Sequence, residues 1–89
     1  MDWADAASRL LKAEIAREGV TLAQLATRMN ALGLQETEAS LKNKLYRGTF
    51  AMTFFMQAMR ALGRSTVDVA SVIPDGVGKG AELDRPSQA

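Results

Sequence analysis

Between Ser40 and Arg47 the chain places six side chains able to hydrogen-bond or carry positive charge: Ser40, Lys42, Asn43, Lys44, Tyr46 and Arg47. Wound as a helix at about 100° per residue, with Leu41 and Leu45 as the buried stripe, this run puts Ser40, Asn43, Tyr46 and Arg47 on the opposite face and Lys42 and Lys44 on the two flanks. That division of labour suits a DNA duplex, where polar and bidentate groups on the outer face reach base edges and flanking lysines meet phosphates. Arg47 suits guanine and Asn43 suits adenine. At the helix end, Arg47 is equally placed for a phosphate or for the helix dipole.

Charge along the chain points the same way. Net charge is only +1, yet residues 1–38 hold four basic and six acidic side chains, whereas Ala39 to Val67 contain Lys42, Lys44, Arg47, Arg60 and Arg64 and no acid. A wholly basic third of the chain favours a polyanionic partner.

Other chemistry is poorly supplied. The chain has neither cysteine nor histidine, which removes the thiolate nucleophile, the commonest zinc and copper ligands and the usual general base near neutral pH. Glu36 and Glu38 are the close carboxylates to consider for catalysis, and residues at the start of a helix serve more readily as partners of its positive end. The reading is a non-enzyme without cofactor or metal. The start, Met1-Asp2-Trp3-Ala4-Asp5, is acidic and lacks the basic and apolar regions of a signal peptide. No stretch approaches the roughly 20 apolar residues that cross a bilayer, so a cytoplasmic location without a membrane partner is expected.

The elements that must carry these residues are helices. Hydrophobic residues make up 47% and charged residues 24%, the composition of a chain that folds as one small domain. Trp3, Ala7, Leu10, Leu11 and Ile15 recur at helical spacing over Trp3 to Glu18, with Asp2 or Asp5 as cap and Gly19 as stop; Lys12, Glu14, Arg17 and Glu18 form the solvated face. Thr21 opens a second helix with Gln24 at the capping-box position and Leu22, Leu25, Ala26, Met29 and Leu32 as its stripe, ended by Gly33. Thr37 or Glu36 caps a third, short helix over Glu38 to Arg47, closed by Gly48. Ala51 to Leu62 is a strongly apolar fourth helix rich in methionine, a residue that fills cores or forms adaptable interfaces. Ser65 or Thr66 can cap a last helix over Val67 to Val72, and the β-branched valines also allow an extended arm; the helix is favoured. Residues 74–89, rich in Gly, Pro, Asp and Ser, are expected to be a disordered tail after a domain spanning 1–73.

The run from Lys12 to Gly63, through Lys12-Ala13-Glu14, Arg17, Gly19-Val20, Leu25-Ala26, Glu36-Thr37-Glu38, Asn43-Lys44, Arg47-Gly48, Phe50 and Ala61-Leu62-Gly63, resembles a bacterial domain of unknown function, family 6471. A weaker likeness, through Leu25-Ala26, Gly33, Leu41, Arg47-Gly48 and Ala61-Leu62, is to the Cro and repressor class of helix-turn-helix proteins. The chain departs from that class in a second helix about a turn longer and in a turn lengthened by Gln35 to Thr37. The resemblances imply an all-α, four- to five-helix bundle of helix-turn-helix, lambda-repressor-like type. The function expected is DNA binding in transcription regulation, with double-stranded DNA as partner. The competing reading is a protein-interaction module in which Met52, Phe55 and Met56 of the fourth helix form a homodimer or dock a partner.

Overall fold

Asp2 starts the first helix: its carboxylate accepts the Asp5 N–H at 2.7 Å, and α1 runs Trp3–Glu18. The computed structural model describes residues 2–73, so the tail expected over 74–89 lies outside the described residues. Thr21 caps α2 (Leu22–Ala31) with a complete capping box, Oγ1 accepting the Gln24 N–H at 3.1 Å and Gln24 Oε1 accepting the Thr21 N–H at 2.8 Å. Its other end closes when the Gly33 N–H donates to the Asn30 carbonyl at 2.9 Å and the Leu34 N–H to the Met29 carbonyl at 3.0 Å. That closure needs φ of 90° at Gly33, where a side chain would be strained.

Thr37 then caps α3 (Glu38–Arg47), with Ser40 in the position that Glu or Gln usually holds. Substituting such a cap by alanine costs about 1 kcal/mol. After Gly48 the chain enters α4 (Met52–Leu62), which begins at Ala51 without a side-chain cap. Four helices and no strand among the described residues make an all-α bundle.

Helices α1 and α2 each pack against both α3 and α4. The shared core is Leu11 and Ile15 of α1, Leu25, Ala26 and Met29 of α2, Leu41 and Leu45 of α3, and Phe54, Ala58, Met59 and Leu62 of α4. Leu41 and Leu45 anchor α3 by one narrow stripe, which leaves the rest of its surface outside the core.

Three expectations need correction. Over Val67 to Val72 the chain makes a single 3₁₀ turn, Val69–Ser71, with no side-chain cap, in place of a helix. Neither Ser65 nor Thr66 caps it, helices restrict the valine side chains, and burying Val72 in loop backbone satisfies the apolar surface instead. Second, Glu14 does not belong to a solvated face: it is fully buried, whereas Trp3 is 61% exposed. Leu11 and Ile15 are buried as expected, but Ala6 and Ser8 are buried while Ala7 and Leu10 are only partly so, so the buried face of α1 extends to one side of the expected stripe. Third, Leu32 lies beyond the end of α2 and is exposed.

Candidate nucleic-acid interface

The outer face of α3 carries Lys42, Asn43, Tyr46 and Arg47, all exposed, with Tyr46 at 90%. Asn43 and Arg47 lie one turn apart, and Tyr46 sits three residues from Asn43, so the three share a face. Ser40 and Lys44, expected on the same surface, are placed differently. Ser40 is half-buried; its Oγ accepts the Thr37 N–H at 2.8 Å and donates to Glu36 Oε1 at 2.6 Å. Lys44 is also half-buried, with Nζ 2.6 Å from Glu36 Oε2 and 4.4 Å from the centroid of the Phe54 ring. The six residues named from sequence therefore divide into four that face outward and two that face the α2–α3 turn.

Ion pairing divides the cations further. Glu14 takes Arg17 and, at 2.9 Å, Arg64; Glu18 takes Arg28 at 3.7 Å and Arg64 at 3.9 Å; Glu36 takes Lys44. Among the described residues Lys12, Lys42, Arg47 and Arg60 have no ion-pair partner. Arg60 lies on α4, beside a separate groove with Met56 and Arg64. The other three sit on α1 and α3, two of them around a single open groove.

That groove, about 510 Å³, is lined by Lys12, Leu22, Lys42, Asn43, Leu45 and Tyr46. Its floor is apolar, and two ammonium groups, an amide and a phenol stand around it. Such a set can bind an anionic, hydrogen-bonding strand: ammonium groups neutralise phosphate charge, and the amide and ring meet polar edges or flat apolar faces. Lys12 was not singled out in the sequence, where it looked like one more charge on the wet side of α1. Its distance in sequence from Lys42 hides that the α1–α3 packing brings the two together.

A second surface is apolar. Ala7, Leu10, Phe50, Met52, Phe55, Val67 and Val69 line a groove of about 430 Å³ that contains no charged residue, and Met52 is 69% exposed at its edge. Among the described residues no group of three acidic, His or Cys side chains is placed to hold a metal ion. No helix there is long and apolar enough to cross a membrane.

No curated protein and no solved structure matches the chain. One family model does, over residues 3–67, a span that contains all four helices and both surfaces up to Val67. The chain therefore belongs to the family described as the domain of unknown function DUF6471.

Proposed function

We propose that this domain binds double-stranded DNA with the outer face of α3, as a helix-turn-helix protein regulating transcription in the cytoplasm. The observation that carries the reading is the partition of cations: Glu14, Glu18 and Glu36 engage Arg17, Arg28, Lys44 and Arg64, while Lys12, Lys42 and Arg47 stay unpaired among the described residues around Asn43 and Tyr46. An unpaired cation on a helix face can be brought to a phosphate without surrendering a protein partner. Helix α3 follows α2 across residues 32–37 and packs on it, as a reader helix must to be held rigidly. Asn43 and Arg47 supply base-edge contacts, Lys12 and Lys42 phosphate contacts, and Tyr46 an amphipathic surface between them.

The test is anisotropy of a labelled duplex titrated with the protein at low and moderate salt. Binding should weaken steeply with salt, and Lys42→Ala or Arg47→Ala should weaken it further without loss of helical circular dichroism. A parent protein that shows no binding at low salt, or variants that bind as well as the parent, would sink the proposal.

A second reading is favoured by one observation, the uncharged groove between α1 and α4 with Met52 at its edge. Two copies meeting there would set no like charges against each other, and would present two α3 helices to paired half-sites. Sedimentation of the chain alone tests it: Met52→Glu should convert a dimer to a monomer, and a parent that stays monomeric at high concentration ends this reading.

A further inference from the structure

Glu36 sits in the turn between α2 and α3 with its side chain 8% exposed, bonded to both helices and linked through Lys44 to α4. Its N–H donates to Asn30 Oδ1 in the last turn of α2 at 3.1 Å. On α3, Ser40 Oγ donates to Oε1 at 2.6 Å and Lys44 Nζ to Oε2 at 2.6 Å, one turn further on. The same ammonium lies 4.4 Å from the Phe54 ring centroid of α4. We propose that Glu36 is a positioning residue that fixes the rotation of α3 about its axis, and that Ser40 and Lys44 serve as its donors and do not contact DNA. The proposal rests on the DNA-binding reading of α3 and deepens it.

Ser40 and Lys44 form one i, i+4 row, and Asn43 and Arg47 form another, about 60° away around the helix axis. Turning α3 by about 60° would trade one row for the other, and its apolar stripe of only Leu41 and Leu45 resists that weakly. A residue whose main-chain N–H is held by Asn30 of α2 and whose carboxylate grips the first row holds the second row outward. For Lys44 to reach a phosphate it would have to leave Glu36, and a nearly buried carboxylate would lose its strongest partner. Lys42 has no such tie.

Salt dependence separates the two roles, because each phosphate contact contributes about 0.9 to the slope of log affinity against log salt. Duplex binding is measured across a salt series for the parent, Lys42→Ala, Lys44→Met, Glu36→Gln and the Glu36→Gln, Lys44→Met pair, with circular dichroism on each. Lys42→Ala should lower the slope by about 0.9. Lys44→Met should leave the slope unchanged and weaken binding roughly three- to tenfold at every salt, as the competent arrangement of α3 becomes a fractional population. The paired variant should bind no more weakly than Lys44→Met alone, since both changes break one latch. A slope lost by Lys44→Met to the same extent as by Lys42→Ala overturns the proposal, as do losses that multiply in the pair. Should Glu36→Gln not fold, Ser40→Ala is judged by the same criterion of weaker binding at unchanged slope. A parent that binds no duplex removes the DNA reading and this role together, whereas a binding parent with a slope-lowering Lys44→Met removes the latch alone.

Discussion

Lys42 and Lys44 are the same residue two positions apart on one short helix, and the fold uses them differently: one is exposed and unpaired, the other is held by Glu36 beside an aromatic ring. The sequence contains the spacing Glu36, Ser40, Lys44 in steps of four, yet Glu36 precedes the cap residue Thr37, where helical spacing no longer says which side chains meet. Only the three-dimensional turn decides it. Glu38, in the first turn of α3, is the acid nearest the exposed cations along the chain. There two effects oppose each other. A carboxylate at a helix N-terminus stabilises by about 0.3–1 kcal/mol, and the same charge repels a phosphate strand approaching Lys42. For an exposed residue the first effect falls at the small end, so Glu38→Gln should lower stability by a few tenths of a kcal/mol while tightening duplex binding roughly twofold or more at low salt. Paired unfolding and anisotropy measurements check this, and unchanged or weaker binding by Glu38→Gln would place the DNA elsewhere than along the start of α3.

At the scale of elements, helix boundaries were legible because they are local. Asp2, Thr21 and Thr37 cap the helices they precede, and each helix end is set by hydrogen bonds within a few residues. The last segment was not legible, since whether Val67 to Val72 coil or bury their side chains depends on what α1 and α4 leave open for them. Gly48 shows how an element end also sets packing. A Cβ placed there would overlap the Ala4 carbonyl at the start of α1, so α3 can close on α1 only without a side chain at that position, and φ is 69° besides. Gly33 has a similar left-handed backbone but open space around it. Backbone strain alone makes Gly33→Ala cost about 1–2 kcal/mol. Gly48→Ala adds a clash with main chain that no rotamer relieves, and should cost about 3–4 kcal/mol. Denaturant unfolding of both variants distinguishes the terms: equal losses would mean that α1 moves away from α3 freely. Because Lys12 lines the α3 groove from α1, a shift of α1 in Gly48→Ala should also weaken duplex binding.

For the molecule as a whole, the buried charge least visible in the sequence is Glu14, whose partner Arg64 lies 50 residues away. Read within α1 alone, Glu14 beside Arg17 looks like an ordinary surface pair. In the fold its carboxylate is fully buried between Arg17 and Arg64, and Arg64 reaches Glu18 as well, so the segment after α4 is clamped onto α1. Both arginines are partly exposed, so either can be removed while the other still neutralises the carboxylate. Removing both strands a charge in the interior. Single Arg17→Met or Arg64→Met changes should therefore each cost about 1 kcal/mol, and the double change about 3–5 kcal/mol, a large share of the 5–15 kcal/mol that holds a domain of this kind. Replacing the carboxylate itself, Glu14→Met, removes the burial penalty along with the bonds and should cost less than the double change. Guanidinium unfolding of the four variants decides the point: losses that simply add would show that Glu14 finds water when its partners go. Since both arginines are engaged inside the fold, neither single change should alter the salt slope of DNA binding, in contrast to Lys42→Ala.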